Sequence, residues 1–255
     1  MSTSAIDLYT GLPLKAEDDV YHMIIEIPKH SRIKYEFSEK YNTIMVDRLF
    51  RTPISYPQNY GFFPQSWNRF DNDPPDVIVV STESFHPGVI VPVRVIGIIE
   101  LEDMGEMDHK VIAVPTGASD HAHCADIRDL DPEIVENLKW FLMHYKYRDI
   151  NDTLKVLGVR GKRTAVQFLD DCHKEFKKKM AKIDDEKKVE KRDKEREKQL
   201  HMHRGNLGKE EESYWTKAER RLGERRREMR RESELRAKKI AKKEKSAREK
   251  REKKK

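Results

Sequence analysis

The sequence is poor in cysteine, and it has neither a long apolar run nor a recognisable secretory leader. Two cysteines, Cys124 and Cys172, occur in 255 residues, which is too few for a disulfide framework and suits a reducing compartment. No apolar run approaches the ~18 residues that cross a membrane, and residues 1–14 lack a basic stretch followed by an apolar one. These absences exclude a disulfide-stapled secreted scaffold and a membrane protein. They predict a cytoplasmic protein, or a nuclear one in a eukaryotic host.

The C-terminal part of the chain is poor in apolar residues, and its charge is opposite to that of the rest. From His173 onward there are 34 Lys and Arg against 19 Asp and Glu, a net charge of +15, whereas the first 172 residues carry a net −9. Such asymmetry indicates a globular domain with a charged appendage. We expect a globular domain over residues 1–180, large enough for one core. Residues 181–255 are expected to form a basic extension, helical or disordered.

The apolar pattern of residues 1–180 changes from a strand period to a helix period. Asp131, followed by Pro132, is a typical helix start, and a second helix is expected from about Thr164. The order predicts an α+β fold, mainly β, in which a closed or curled barrel packs against helices. The strands are expected at residues 21–27, 33–37, 43–46, 77–80, 89–101, 110–114 and 154–159, the second and third of which form a hairpin.

Three carboxylates crowd the segment D-N-D-P-P-D at residues 71–76, directly before an apolar strand. Like charges at this spacing raise one another's pKa unless a cation or solvent screens them. The segment is therefore a hard-cation site or a solvated acidic turn. Further acids stand near strand ends, namely Glu26, Glu36, Asp103 and Asp108. Of these, Asp103 and Asp108 could join Asp71, Asp73 and Asp76 around several Mg²⁺ ions, which prefer carboxylate and water oxygens.

Cations and tyrosines complete a pattern suited to phosphate chemistry. The cations are Lys34, Arg48, Lys110 and Lys146, and the hydroxyl donors are Tyr56, Tyr60 and Tyr145. Acids for metals beside bases for phosphate are what metal-assisted phosphoryl transfer needs. Each member also has an ordinary structural interpretation. The charges could lie on a strand surface, the tyrosines in the core with solvated hydroxyls, and the lysine at a helix end.

The chain resembles the soluble family I inorganic pyrophosphatases in a series of short segments that occur in family order. D-x-D-P-x-D is the signature of that family. The segments are I-I-E-I-P (24–28), I-K-Y-E (33–36), V-D-R (46–48), Y-P-Q-N-Y-G-F (56–62), D-N-D-P-P-D-V (71–77), D-M-G-E-M-D-H-K (103–110) and H-Y-K (144–146). The resemblance implies a five-stranded OB-like closed barrel with packed helices, and Mg²⁺-dependent hydrolysis of pyrophosphate to two orthophosphates by a metal-activated water.

The same resemblance implies a role for each motif residue. Asp73 matches the general base, and Glu26 an acid in the surrounding water network. Asp71, Asp76 and Asp108 match ligands of the activating metals, while Asp103 and Glu36 match ligands of the substrate-borne metals. The substrate-binding groups are Lys34, Arg48, Tyr56, Tyr60, Lys110, Tyr145 and Lys146. The chain departs from the family at Pro75, where an aliphatic residue is usual, and at Met104, often acidic or polar.

The extension has no counterpart in the family. Asp184–Lys188, Glu190–Lys194, Glu234–Lys238 and Glu244–Arg248 are spaced for helical ion pairs. The segment could bind nucleic acid through its phosphates, contact acidic partners, or serve as a solubilising or nuclear-targeting segment. The alternative function is therefore a catalytically idle member of the fold that binds such partners. A homo-oligomer is also expected.

Two groups of histidines resemble partial metal sites. They are His121, His123 and Cys124 in one segment, and His201 with His203 in another. A polar loop is the preferred interpretation of the first group, because no second ligand pair stands at zinc-like spacing.

Overall fold

The computed structural model describes residues 6–117, 120–146, 154–204 and residue 220. Contacts between Cα atoms divide the chain into two units, Met1–Asp184 and Asp185–Lys255. Whether residues 1–180 form an independent domain stays a prediction. None of the helices in the described residues has the length and apolarity needed to cross a membrane.

Five strands of the first unit close on themselves. They are β2 (Val20–Ile27), β5 (Asn59–Phe62), β6 (Asp76–Val79), β9 (Lys110–Pro115) and β7 (Ile90–Asp103). Each pairs with the next in that order, and β7 pairs back onto β2. All of these pairings are antiparallel except β6–β9, which is parallel. The circuit is the closed five-stranded arrangement expected above, and closure removes free strand edges.

The remaining strands extend this sheet or lie beside it. β1 (Lys15–Glu17) pairs with β2, β8 (Glu106–Met107) with β7, and β10 (Lys155–Gly161) with β7. β3 (Ile33–Ser38) and β4 (Thr43–Leu49) form the predicted hairpin as a separate two-stranded sheet. The expected loop around Gly105 is instead a tight hairpin between β7 and β8. Met104 and Gly105 both have positive φ, 51° and 89°, as two-residue hairpin turns require.

Both faces of β6 and β9 are buried, so residues 77–79 and 111–115 are apolar at consecutive positions. On β6, Val77 and Val79 belong to one core cluster, which Ala165 and Leu169 join from the second helix. Ile78 belongs to the other cluster, with residues of the first helix. Gly61 on β5 allows close strand packing, because a Cβ atom there would lie 1.8 Å from the carbonyl oxygen of Ile24.

The two helices begin and pack as the sequence predicted. α1 (Pro132–His144) is capped by Asp131, whose side chain accepts from the backbone N–H of Glu133 at 2.9 Å. It buries Leu138 and Phe141, whose spacing places them on one face. A short 3₁₀ turn at Ile127–Asp129 precedes it.

α2 (Lys162–Arg204) is the long second helix. Glu190 and Lys194 form the expected i, i+4 pair, at 2.7 Å. Within the second unit Lys188 contacts Asp185 at 3.5 Å, an i, i+3 pair. The Asp184–Lys188 pair stays a prediction. The pairs expected at Glu234–Lys238 and Glu244–Arg248 fall outside the described residues.

Candidate active site

One cavity of about 560 Å³ gathers the residues that the sequence singled out. They come from both sheets, from the loop before β6 and from the end of α1. These segments are far apart along the chain, so no local sequence pattern shows that they meet. We refer to it as the acidic cavity. Its lining includes Glu26, Lys34, Glu36, Arg48, Tyr56, Tyr60, Asp71, Asp73, Asp76, Asp103, Asp108, Lys110, Tyr145 and Lys146, every candidate site residue named above.

Asn68 organises the turn that presents the first acids. Its backbone pairs with that of Asp73, and its side-chain amide donates to Asp71 at 2.8 Å. The other oxygen of Asp71 accepts from the backbone N–H of Asp73 at 3.1 Å. Asn72 takes a left-handed φ of 60° between them, a conformation that asparagine tolerates better than most residues. The turn thereby directs Asp71, Asp73 and Asp76 into the acidic cavity.

The carboxylates in the cavity hold their protons more tightly than isolated acids do. Asp73 is open to solvent on the cavity side, yet loss of hydration, followed by the charges of Asp76, Asp71 and Glu36, raises its pKa to about 7. Burial, which outweighs the hydrogen bond from Asp73, raises the pKa of Asp71 to about 6. Burial and then Asp76 raise the pKa of Glu26 to about 8, although its carboxylate accepts from Phe37 N–H at 2.7 Å. The negative charge of these carboxylates is therefore only partly compensated, which favours the binding of cations in the cavity.

Lys110 supplies part of the compensating positive charge. Its ammonium, on a side chain only 3% exposed, contacts both Asp76 and Asp108. Burial disfavours the charged ammonium, but the two carboxylates prevail and raise the pKa of Lys110. Lys34 contacts Glu36 in the same way, and Lys146 donates to Asp103 at 2.6 Å.

The residues present fit divalent cations with oxygen ligands. The carboxylates of the cavity supply oxygen donors only, as Mg²⁺ prefers. Oδ1 of Asp103 is buried without a hydrogen-bond partner in the described structure. Among the described residues no three His, Cys, Asp or Glu side chains lie at metal-ligand spacing. At Asp76 and Asp108 the Lys110 ammonium lies between the carboxylates, so a metal there would have to displace it.

The substrate-binding candidates are held by neighbouring groups. Asp47 lies 3.7 Å from Lys34 and 3.9 Å from Arg48, and so orients two cations. Tyr56 packs against Phe141 at 4.9 Å and Tyr60 at 5.5 Å between ring centroids. The two tyrosines are thus core aromatics that also line the cavity, and their role as hydroxyl donors stays a prediction.

Sequence reasoning missed three acids near the cavity. Glu39 and Glu106 line it, although neither was a candidate. Asp47 acts beside it through Lys34 and Arg48. For two of these acids the position in the sequence could have indicated the site. Asp47 directly precedes Arg48, and Glu106 lies between Asp103 and Asp108. Glu39 belongs to a turn-like segment and carries no such signal.

Pro75 is compatible with this geometry. It is buried, and its carbonyl oxygen accepts from the backbone N–H of Phe63 at 3.3 Å. A proline has no N–H but keeps this acceptor. Met104 lies at the hairpin tip and is 47% exposed.

The histidine groups do not form a described metal site. Sγ of Cys124 lies 3.5 Å from Nε2 of His123 and 3.7 Å from the carbonyl oxygen of Asp129. Burial raises the pKa of the Cys124 thiol, which disfavours the thiolate that a metal requires. The side chains of His201 and His203 lie outside the described part of the chain.

The fold and the cavity together define a mainly β, α+β protein whose cavity combines carboxylates and cations, as metal-assisted phosphoryl transfer needs. Residues 23–177 match the family model described as inorganic pyrophosphatase. The chain belongs to the inorganic pyrophosphatase family, a family of hydrolases.

Individual relatives agree with the family match. The chain is 36% identical over 167 residues to an inorganic pyrophosphatase of Helicobacter pylori, covering 65% of this chain and 96% of that protein. It is 40% identical over 164 residues to one of Aquifex pyrophilus, covering 63% and 91%. A solved inorganic pyrophosphatase from Thermus thermophilus superposes with a TM-score of 0.64 at 33% identity, covering 67% of this chain and 99% of that one.

Proposed function

We propose that this protein hydrolyses inorganic pyrophosphate to two orthophosphates with Mg²⁺ as cofactor. The observation that carries the proposal is the assembly of seven predicted acids and seven predicted phosphate-binding groups around one cavity. Family membership and relatives named inorganic pyrophosphatase support the same substrate. An idle member of the fold would be expected to lack a ligand or a cation, and this cavity keeps them all.

Asp71, Asp76 and Asp108 would hold the activating metals, and Asp103 and Glu36 the substrate-borne ones. Mg²⁺ bound there would supply Lewis-acid activation of water and neutralise negative charge on the phosphates. Asp103 supports this assignment with a buried oxygen that lacks a partner in the described structure.

The chain itself would position the substrate and move the proton. Asp73 accepts a proton from the attacking water at a carboxylate oxygen, since its side chain lines the cavity between the proposed metal ligands Asp71 and Asp76. Lys34, Arg48 and Lys146 donate hydrogen bonds to phosphate oxygens and counter charge on the leaving phosphate. Tyr60 and Tyr145 remain neutral hydroxyl donors, because burial raises their pKa.

The test is phosphate release from pyrophosphate with Mg²⁺, measured on the full chain and on Asp73→Asn. Loss of the base is expected to lower kcat by about 10²–10⁴-fold. Asp170→Asn is the matched control. Asp170 lies on α2 in a surface pair with Lys15 at 3.8 Å, outside the cavity lining, so its rate should match the wild type. The proposal would be refuted if the wild-type chain released no phosphate, or if Asp73→Asn released it as fast as the wild type.

We further propose that residues 181–255 bind polyanions such as nucleic acid, and that the protein is a cytoplasmic homo-oligomer. The net charge of +15 from His173 onward supports polyanion binding. Retention on heparin should fall steeply with salt and disappear when residues 182–255 are deleted. Retention that survives the deletion would contradict it. Light scattering tests the oligomer, and a monomeric mass would refute it.

A further inference from the structure

A second cavity, of about 680 Å³, lies next to the acidic cavity and differs from it in charge. Its lining includes Arg48, Phe50, Arg51, Thr52, Tyr145 and Lys146. Among the described residues this lining carries three cations and no carboxylate. We refer to it as the basic cavity. Arg48, Tyr145 and Lys146 also line the acidic cavity, so the two cavities are contiguous.

Two hydrogen-bond donors of the basic cavity lack an acceptor among the described residues. Within the described part of the chain, Arg51 makes no hydrogen bond or ion pair. Oγ1 of Thr52 is buried and likewise has no hydrogen-bond partner there. A buried hydroxyl without a partner destabilises the folded state. An acceptor entering the cavity would meet the exposed Arg51 guanidinium directly, whereas the buried Thr52 hydroxyl would have to turn toward it.

The segment that carries these donors is fixed in place. The backbone N–H of Phe50 donates to the carbonyl oxygen of Arg32 at 2.8 Å, and the Arg32 guanidinium donates to that of Thr52 at 2.9 Å. The ring of Phe50 stacks on Tyr56 at 5.3 Å and lies 5.9 Å from Tyr145. Arg51 therefore lies between two anchored residues, which lowers the entropic cost of binding a ligand.

The other two cations of the basic cavity, Arg48 and Lys146, already contact carboxylates. Arg48 lies 3.9 Å from Asp47, and Lys146 donates to Asp103 at 2.6 Å. Arg51 and Thr52 are consequently the groups that distinguish this cavity from the substrate site. A guanidinium fork together with a hydroxyl donor matches the oxygens of a tetrahedral oxyanion.

We propose that the basic cavity is a phosphate subsite beside the pyrophosphate site, recognised chiefly by Arg51 and Thr52. Its occupant is a phosphate group, either free orthophosphate or the third phosphoryl group of a linear triphosphate whose other groups lie in the acidic cavity. The choice of phosphate among oxyanions rests on the proposed function, whereas oxyanion binding rests on the cavity alone.

The first test measures binding without catalysis. Orthophosphate is titrated calorimetrically into the full chain in a metal chelator, for the wild type, Arg51→Ala and Thr52→Val. Each variant is expected to bind phosphate more weakly, Arg51→Ala by on the order of tenfold, as for the loss of a charge-assisted hydrogen bond. Arg163→Ala is the matched control, because Arg163 is exposed and lies outside this cavity. The basic C-terminal residues add the same background to every variant.

Thermal unfolding separates recognition from a structural role. Thr52→Val removes an unpaired buried hydroxyl at constant shape, so the phosphate-free variant should be at least as stable as the wild type. Phosphate should raise the Tm of the wild type but raise that of Thr52→Val less. A lower Tm without phosphate, together with an unchanged phosphate-dependent rise, would overturn the assignment of Thr52.

Inhibition of pyrophosphate hydrolysis identifies the source of the phosphate. Arg51→Ala should keep the wild-type kcat/KM for pyrophosphate. Weaker inhibition by orthophosphate alone identifies a product site, and weaker inhibition by linear triphosphate as well identifies an extended-chain site. Binding and inhibition equal to those of Arg163→Ala would overturn the proposal. A chain that hydrolyses no pyrophosphate, yet binds phosphate through Arg51, would refute the proposed function and leave this subsite standing.

Discussion

Lys110→Met should reveal how far one lysine substitutes for metal in the acidic cavity. Methionine keeps most of the aliphatic length of Lys110 but removes the ammonium between Asp76 and Asp108. Lys110 is 2% exposed, whereas the side chains of Asp76 and Asp108 are 28% and 17% exposed, so water replaces only part of the lost interaction. Breaking a buried pair costs about 3–5 kcal/mol. Urea unfolding in a chelator should therefore show a loss of that size in the free energy of unfolding.

Mg²⁺ should restore part of the lost stability of Lys110→Met, which it would not do for a variant destabilised away from the cavity. A ligand of the native state stabilises it by ~2.7 kcal/mol at one hundred times its Kd. Without the competing ammonium, Mg²⁺ should bind the variant more tightly and stabilise it by a larger increment than it does the wild type.

Lys155→Met is the matched control for the Lys110 variant. The Lys155–Glu102 pair, at 3.1 Å, has a lysine 63% exposed, and such pairs contribute ~0–1 kcal/mol. Equal losses in the two variants, or equal Mg²⁺ increments in Lys110→Met and wild type, would refute the assignment of Lys110 as an internal counter-ion.

Two further predictions concern the dependence of stability on pH, measured by urea unfolding in a chelator. Folding raises the pKa of Glu26 from 4.5 to about 8, so wild-type stability should fall by up to ~1.4 kcal/mol per pH unit across that window. Glu26→Gln should show a smaller slope, of which Asp71 and Asp73 keep a part because folding also raises their pKa, to about 6 and about 7. A slope equal to that of the wild type would contradict the burial argument. The hydrogen bond from Arg128 lowers the pKa of Asp126 from 3.8 to about 2, so its contribution is present above pH 3.8 and lost as pH falls through 2. Asp126→Asn should cost about 1 kcal/mol at pH 7 and nothing below pH 2. A loss that persists there would indicate a purely steric effect.

The linear pattern of residues predicted much of this fold because its signals were local. The α1 cap at Asp131 and the hairpin of β3 and β4 depend on neighbours within a few positions. β5, with only four residues, lacked a recognisable pattern, and its place between β2 and β6 depends on the missing Cβ atom of Gly61. The parallel pairing of β6 and β9 joins segments about thirty residues apart, which periodicity does not record.

The sequence by itself determined the chemical composition of the site, because carboxylates, cations and tyrosines are visible as residue types and the motifs gave their order. Tertiary structure alone decided which charges meet. Lys110 pairs with both Asp76 and Asp108, Asp47 lies beside Lys34 and Arg48, and the pKa of Asp73 rises toward neutrality. The physical reason is that charge interactions and burial depend on distances between side chains, and closing the barrel brings together residues that are far apart along the chain.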